Sequence, residues 1–355
     1  MGGTGCGTGK IFFDEPIAGC SGRTFLGSGR HLMQGTPLPK AAFADPPMLQ
    51  NAAGERRTVG VEVEFGALGA REAAAALAAA LGGTIMEEDA HAFVIEGTAL
   101  GALMVEIDMR HAHPQRHQGT RWGRLGADGA ALLGRALQYL VPRELVTGPL
   151  PIDHLALVDR AVEVLRQAGA REAGPVAFGL HFNPEPPRLD AGTITAILKA
   201  FVLLNDWLRR ESKPRRLSRR FGFGRNFPPD YVRRIVAVDY WPHLTDLMDD
   251  YLAANPTRNR DLDLLPLFLH FDEQRVRARL PNEKIGKRAV LHYRLPTARV
   301  SQPGWSIAPD WNRWVAVERL AADRPRLEQL AAAYCTASRK PQDWAEISAR
   351  LALGM

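Results

Sequence analysis

The chain has 355 residues, of which 46% are hydrophobic and 24% are charged, and this composition excludes a fibrous or wholly disordered protein. A net charge of +6 favours anionic ligands such as phosphates and carboxylates, and is too small to indicate nucleic acid as a partner. The three cysteines form no zinc-ligand pattern, and no apolar run is long enough to span a bilayer. We therefore expect a cytoplasmic protein without a membrane partner.

The predicted elements begin after a leader that shows no periodicity. Residues 1–50 are rich in Gly, Pro, Ser and Thr and predict a disordered segment, whereas residues 56–355 predict a single domain. The elements expected in that domain are, in chain order, a strand over 58–65, a helix over 70–81, strands over 92–96 and 102–109, helices over 121–140 and 153–168, a strand over 176–183, a helix over 191–210, a basic segment over 211–235, a short helix within 257–280, a strand over 287–295, and helices over 312–320, 324–334 and 342–353.

The order of these elements predicts the fold class. Several strands adjoin one another without a helix between them, which favours an α+β fold with a largely antiparallel sheet and helices on one face over a doubly wound parallel sheet. The basic segment 211–235 predicts a solvated loop, with a nucleic-acid patch or a lid over an anionic substrate as alternatives.

The first strand, residues 58–65, carries two carboxylates on one face. Side chains alternate along a strand, so Glu62 and Glu64 point the same way, about 7 Å apart, while the valines between them face a core. Like charges on one face cost stability. Mg²⁺ or Mn²⁺, which prefer carboxylate oxygens, would offset that cost. We predict that Glu62 and Glu64 bind a metal; the alternative is a solvent-facing strand.

Two further segments carry candidate acidic residues. Glu106 and Asp108 repeat the same spacing on a predicted strand, although Asp108 has Arg110 beside it as an alternative partner. Glu144 is a lone carboxylate in an apolar segment bounded by prolines, where burial is costly unless a partner such as a metal is present. An ion pair with Arg143 or a surface loop are the alternatives for Glu144.

Two later strands carry polar side chains on one face. His181 and Asn183 share a face of the strand over 176–183 and are candidates for contacts with a metal or a phosphate, although a lone strand histidine is more often a buried structural residue. Arg294 shares a face with His292, and its guanidinium suits a bidentate grip on phosphate or carboxylate. A cross-strand salt bridge is the alternative for Arg294.

Four of these segments occur in a characteristic order. They are Gly60-Val-Glu-Val-Glu-Phe65, Pro142-Arg-Glu-Leu-Val-Thr-Gly-Pro149, Gly179-Leu-His-Phe-Asn-Pro184 and Tyr293-Arg-Leu-Pro296. The ordered set resembles the amidoligase family, relatives of glutamine synthetase and glutamate–cysteine ligase, from about residue 56 to about residue 335. The resemblance implies a glutamine synthetase-like catalytic fold, in which a curved antiparallel sheet holds metal ions and ATP on its concave face.

The resemblance also implies roles for individual residues. Glu62, Glu64 and Glu144 match the family's metal-binding carboxylates. His181 matches a histidine that helps to hold metal or phosphate, and Arg294 matches a late arginine that contacts phosphate.

The activity that the resemblance implies is that of an ATP-dependent carboxylate–amine ligase with Mg²⁺ or Mn²⁺, which forms an amide through an acyl phosphate. Its partners would be a small carboxylate, such as an amino acid or peptide-like acid, and an amine. We expect Glu106 or Asp108 to orient or deprotonate the amine. Asn183 is expected to contact the cofactor and stands where relatives often carry a histidine. His292 stands where relatives often carry a glutamate. A phosphotransferase and a binding protein without catalysis are the alternative functions.

Overall fold

The computed structural model describes residues 42–107, 141–172, 178–212, 225–283, 285–336 and 341–353. These residues fall into two compact units. The first contains the described parts of Gly60–Leu180 and Ala298–Ile307, and the second contains those of Phe43–Val59, His181–Thr297 and Ala308–Met355. The predicted helix over 121–140, Asp108 and residues 1–41 of the predicted leader lie outside the described residues.

The first unit is built on antiparallel strands. Its strands are β1 (Thr58–Phe65), β2 (Thr84–Asp89), β3 (Ala92–Thr98), β4 (Gly101–Ile107), β5 (Arg143–Thr147) and β6 (Leu150–Pro151). They lie in the order β2-β3-β4-β5-β1, with β6 beside β1, and each neighbouring pair from β2 to β1 is antiparallel. The prediction of an α+β protein with a largely antiparallel sheet is confirmed.

Among the described residues of the first unit, two α-helices accompany the strands. Helix α1 (Ala70–Leu81) packs on β3 and β4, and helix α2 (Leu155–Gln167) packs against α1. The alanine-rich sequence of α1 favours a helix, and the chain leaves it through Gly82 and Gly83, which have φ of 80° and 102°. A Cβ on Gly83 would lie 2.5 Å from the carbonyl oxygen of Glu96, so only glycine fits at this turn.

Three of the described strands of the first unit, β2, β5 and the two-residue β6, were absent from the sequence prediction. Strand β2 is an edge strand whose residues are exposed or half-buried on both faces, so it shows no alternation of apolar and polar residues. Strand β5 is the reverse case, because all five of its residues are buried. Alternation identifies only strands with one buried face.

The second unit is mainly helical. Its helices are α3 (Ala191–Ser212), α4 (Pro229–Val236), α5 (Leu244–Ala254), α6 (Leu265–Phe271), α7 (Glu273–Arg279), α8 (Ala308–Ala322), α9 (Arg324–Thr336) and α10 (Pro341–Leu353). Helix α3 lies at its centre, in contact with α4, α8, α9 and α10. Three short antiparallel strands, β7 (Leu180–Pro184), β8 (Leu262–Asp263) and β9 (His292–Tyr293), lie in the order β7-β9-β8.

Several boundaries in the second unit correct the sequence prediction. The strand expected over 287–295 is limited to His292–Tyr293. Its neighbour β8 has only two residues to pair with it, because β8 ends at Asp263 and α6 begins at Leu265. The single helix expected within 257–280 is two helices that break at Asp272, whose carboxylate accepts a hydrogen bond from the N–H of Arg275 and caps α7. Helices α4 and α5 were not predicted.

Residues 42–50, which the sequence assigns to the leader, make defined contacts in the second unit. The N–H of Ala44 donates to Oδ1 of Asn312 at 2.7 Å, and the carbonyl of Ala44 accepts from the indole of Trp311 at 3.0 Å. This part of the chain is therefore held on α8.

One helix among the described residues, Ala191–Ser212, is long and apolar enough to cross a membrane by length and composition. Of its apolar window, 72% is buried inside the protein, as in the core helix of a soluble protein. Its apolar character is therefore explained by its central position in the second unit.

Candidate functional site

Three glutamates form a row across adjacent strands of the first unit. Glu64 of β1 lies directly opposite Glu144 of β5, and Glu144 lies directly opposite Glu106 of β4. Directly opposed residues of antiparallel strands have Cβ atoms about 4.5–5.5 Å apart and point to the same face. The strand register therefore gathers three carboxylates that lie far apart in the chain. We call these three residues the carboxylate row.

A fourth carboxylate shares this face. Glu62 lies two residues before Glu64 on β1 and so points the same way. The exposed fraction is 1% for Glu62, 2% for Glu106 and 0% for Glu144. The N–H of Gly179 donates to Oε2 of Glu64 at 2.7 Å, which orients that carboxylate. Four acidic side chains therefore lie on one face of three neighbouring strands, and three of them are buried.

The opposite face of the same strands is apolar. Val63, Leu145 and Val105 lie opposite one another on β1, β5 and β4, and none is exposed. Phe93 of β3 continues this row, and the guanidinium of Arg71 on α1 lies 4.8 Å from the Phe93 ring centre. The apolar face therefore packs under α1, and burial of that face fixes the register that forms the carboxylate row.

The burial of Glu62, Glu106 and Glu144 beside Glu64 on one face fits a divalent cation. Like charges directly opposite one another destabilise a sheet, and burial removes the water that would screen them. A metal ion bound by carboxylate oxygens offsets both costs, and Mg²⁺ and Mn²⁺ are the cations that prefer such ligands. The donor set of this face, carboxylate oxygens on rigid strands, suits either ion.

Glu144 occupies a position that the sequence did not predict. The surface-loop alternative is wrong, because Glu144 is fully buried in β5. Arg143, the other proposed partner, lies opposite Phe65 and Ile107, so it belongs to the apolar side of the strands by alternation. Glu144 lies at the centre of the carboxylate row, with Glu64 opposite it on one side and Glu106 on the other.

The second unit has a polar face of its own on β7 and β9. Phe182 lies opposite Tyr293, and this antiparallel register places Asn183 opposite His292. The rings of His181 and His292 meet edge to face, with centres 5.2 Å apart and an interplanar angle of 72°. All three polar residues are buried, with exposed fractions of 8% for His181, 1% for Asn183 and 3% for His292.

Aromatic packing on the other side of β7 and β9 holds this polar face in place. Phe182 stacks on Tyr293 at 6.3 Å, and Trp311 and Trp314 of α8 lie beside them, at 5.7 Å from Phe182 and 5.4 Å from Tyr293 respectively. Because side chains alternate along a strand, burial of these rings directs His181 and Asn183 to the polar side.

Asp263 extends the polar face and was missed in the sequence. It lies opposite His292, and its Oδ2 is 4.0 Å from Nδ1 of His292. The signal that would have identified it is Asp261-Leu-Asp263, which repeats the spacing of Glu62 and Glu64. The short strand β8 concealed this signal, because two residues are too few to show a period.

Arg294 follows β9 and is half-buried. Its backbone N–H donates to the carbonyl of Asp261 at 2.8 Å, and its Nη1 donates to the carbonyl of Arg258 at 3.2 Å. Arg294 is also close enough to Asp263 to favour the ionised form of that carboxyl. The guanidinium predicted to contact phosphate therefore lies beside the polar face of β8 and β9.

The titration of Asp263 yields a pH-dependence prediction. Burial raises the pKa of Asp263 from 3.8 to about 6, against the opposing effect of the Leu265 N–H and of nearby arginines. The folded state therefore holds this proton more tightly than the unfolded state. The contribution of Asp263 to the free energy of unfolding is largest below pH 4 and falls by about 3 kcal/mol in total as the pH rises through the folded-state pKa of about 6.

Comparison of wild type with D263N by urea unfolding between pH 4 and 7 checks this prediction. Because asparagine does not titrate, the free energy of unfolding of D263N minus that of wild type should increase as the pH rises through this range. D230N is the matched control, since the side chain of Asp230 is 89% exposed. Parallel pH curves for wild type and D263N would contradict the raised pKa.

The predicted site residues are thus placed in two groups. The first unit brings together the predicted metal ligands Glu62, Glu64 and Glu144 with Glu106. The second unit brings together the three predicted contacts for cofactor or phosphate, which are His181, Asn183 and Arg294. Asp108 lies outside the described residues. The roles of all these residues remain predictions.

The fold and these side chains define an α+β protein whose antiparallel strands carry buried carboxylates on one face. A family model described as "putative amidoligase enzyme" matches residues 55–316 of the chain. The chain therefore belongs to the amidoligase family, which indicates a ligase-type enzyme. No curated protein and no solved structure matches the chain.

Proposed function

We propose that this protein is an ATP-dependent carboxylate–amine ligase that forms an amide through an acyl phosphate. The observation that carries the proposal is the carboxylate row, in which Glu64, Glu144 and Glu106 lie in register on neighbouring strands of an amidoligase family member. The substrates in this proposal are a small amino acid or peptide-like carboxylate and an amine, in the cytoplasm. A glutamine synthetase-like curved sheet is part of the same proposal.

Three of the four carboxylates on this face are the proposed metal ligands. Glu62, Glu64 and Glu144 offer oxygen ligands from two adjacent strands, and Gly179 orients one of them through its N–H. Mg²⁺ or Mn²⁺ held there would neutralise charge on the phosphates of ATP during transfer. Rigid strands hold these oxygens in place before substrate arrives, so little reorganisation accompanies binding.

The polar residues of the second unit have the complementary role in this proposal. His181 is the proposed nitrogen ligand for a metal or contact for phosphate in this unit, and Asn183 offers an amide beside it. Arg294 places a permanent positive charge against the phosphoryl group, because guanidinium stays protonated at neutral pH and donates in a planar fork.

Glu106 is the residue proposed to orient and deprotonate the amine substrate. It stands at the end of the carboxylate row farthest from β1, where its neighbour on β3 is Ala92 rather than another acid. A carboxylate there can accept a hydrogen bond from an ammonium group and take its proton, which converts it into a nucleophilic amine. Asp108 is the alternative residue for this step, as the sequence predicts.

Phosphate release tests the proposal. Purified protein with Mg²⁺, ATP and a mixture of amino acids and small amines should release phosphate and form an amide, detected by mass spectrometry. E62Q should lose this turnover while remaining folded, as shown by a cooperative thermal unfolding transition. A phosphorylated acceptor without amide would identify a phosphotransferase, and no ATP turnover at all would identify a binding protein; either result overturns the proposal.

A further inference from the structure

Asp261 is a buried carboxylate that the proposed reaction does not use. It is not exposed, and it forms an ion pair with Arg209, whose side chain is 7% exposed. Nδ2 of Asn205 donates to the same carboxylate at 3.1 Å. Both partners lie on α3, the central helix of the second unit. Asp261 therefore ties the chain just before β8 to this central helix.

The same short segment, residues 258–261, supports Arg294. The backbone N–H of Arg294 donates to the carbonyl of Asp261, and Nη1 of Arg294 donates to the carbonyl of Arg258. These two hydrogen bonds hold the backbone and the guanidinium of Arg294 to one segment. The position of Arg294 consequently depends on the position of residues 258–261.

We propose that Asp261 is a positioning residue for Arg294, which it places by anchoring residues 258–261 to α3. The inference rests on the proposed function, in which Arg294 contacts the transferring phosphoryl group. Asn205 and Arg209, both on α3, hold the carboxylate of Asp261 in place. The backbone of Asp261 is thereby held as well, and its carbonyl accepts the hydrogen bond from the N–H of Arg294.

Energetics support a positioning role over a stabilising one. A buried ion pair such as Arg209 with Asp261 contributes little net stability, because desolvation of two charges offsets their attraction. An apolar pair of similar volume would pack as well. An ion pair with a second hydrogen bond holds its residues in a defined geometry. Geometry matters for catalysis, because displacement of a catalytic group by about 1 Å can lower the rate about 100-fold.

Two variants test the inference by their effect on turnover. D261N keeps the size of the side chain and removes its charge, and N205A removes one donor while leaving the ion pair. We expect kcat for ATP-dependent phosphate release to fall about 10- to 100-fold in D261N and by a smaller factor in N205A. N205A keeps the test decisive if D261N folds poorly.

D159N is the matched control. Asp159 is a buried carboxylate of the first unit that accepts hydrogen bonds from Ser306 and from the N–H of Ile307. Its replacement should lower stability while leaving kcat unchanged. If D159N lowers kcat as much as D261N does, the effect of D261N reflects general destabilisation and the inference is overturned.

R294A separates failure of the inference from failure of the proposed function. Reduced kcat in R294A with unchanged kcat in D261N and N205A overturns the role of Asp261 and leaves the proposed function standing. Crystal structures of wild type and D261N give a readout that needs no turnover: we expect the guanidinium of Arg294 to move by about 1 Å or more. An unmoved guanidinium overturns the inference even if wild type proves inactive.

Discussion

Replacement of Glu144 by glutamine should abolish Mg²⁺-dependent turnover and stabilise the metal-free protein. Glu144 is the central residue of the carboxylate row, with an acidic residue opposite it on each side. Loss of a direct metal ligand should cost more than the roughly 10- to 100-fold that loss of a residue supporting a ligand costs. Removal of one buried like charge should raise the free energy of unfolding by about 0.2–1 kcal/mol.

Steady-state phosphate release and urea unfolding in EDTA measure the two effects of E144Q. Mg²⁺ should stabilise wild type more than E144Q, because a ligand bound only by the folded state raises its stability. E96Q is the control, since Glu96 is an exposed glutamate on β3 of the same unit. Turnover of E144Q within about threefold of wild type, or a lower stability of E144Q in EDTA, would contradict the metal assignment.

Breaking the buried ion pair of Arg57 with Glu318 should lower the stability of the protein strongly. Arg57 precedes β1, is not exposed, and makes two hydrogen bonds of 2.7 and 2.8 Å to Glu318 on α8. Its guanidinium also donates to the carbonyls of Met48 and Glu185. E318Q leaves Arg57 charged and buried without its counterion, which should cost about 3–5 kcal/mol.

Urea unfolding of E318Q against wild type measures this cost. R188Q is the control, because Arg188 forms a pair with Asp190 in which the side chains are 60% and 44% exposed. Loss of such a surface pair should change stability by about 0–1 kcal/mol. A loss below about 1 kcal/mol in E318Q would show that the buried pair is replaceable by its neighbouring hydrogen bonds.

Local patterns in the sequence predicted the helices and strands whose hydrophobic periodicity is complete within the element itself. Alternation over eight residues identified β1 and the shared face of Glu62 and Glu64. An alanine-rich run with a glycine stop identified α1. These features depend on residues that are neighbours in the chain, so a single sequence contains the information.

The register between strands could not be read from one sequence. Alignment of Glu144 with Glu64 and Glu106 depends on which strands are neighbours and on a pairing between residues far apart in the chain. A shift of one residue would turn Glu144 to the apolar face. The sequence therefore predicted the members of the carboxylate row separately, and the fold shows them as one row.

Asp261 and Asp263 show a second reason for a missed prediction. Their spacing is the same as that of Glu62 and Glu64, but strand β8 has only two residues and is followed at once by helix α6. The role proposed for Asp261 depends on an ion pair with Arg209 and a hydrogen bond from Asn205, which lie about 50 residues earlier on α3. Such contacts leave no local pattern.

Transfer of ¹⁸O from a labelled carboxylate to phosphate tests the central claim most directly. The protein is incubated with Mg²⁺, ATP, a small amine and a mixture of amino acids labelled with ¹⁸O in their carboxylates, and the released phosphate is analysed by mass spectrometry. An acyl phosphate retains one carboxylate oxygen on phosphorus when the amine displaces phosphate, so the account predicts phosphate with one ¹⁸O. Release of phosphate without ¹⁸O, or no release, would contradict a carboxylate–amine ligase.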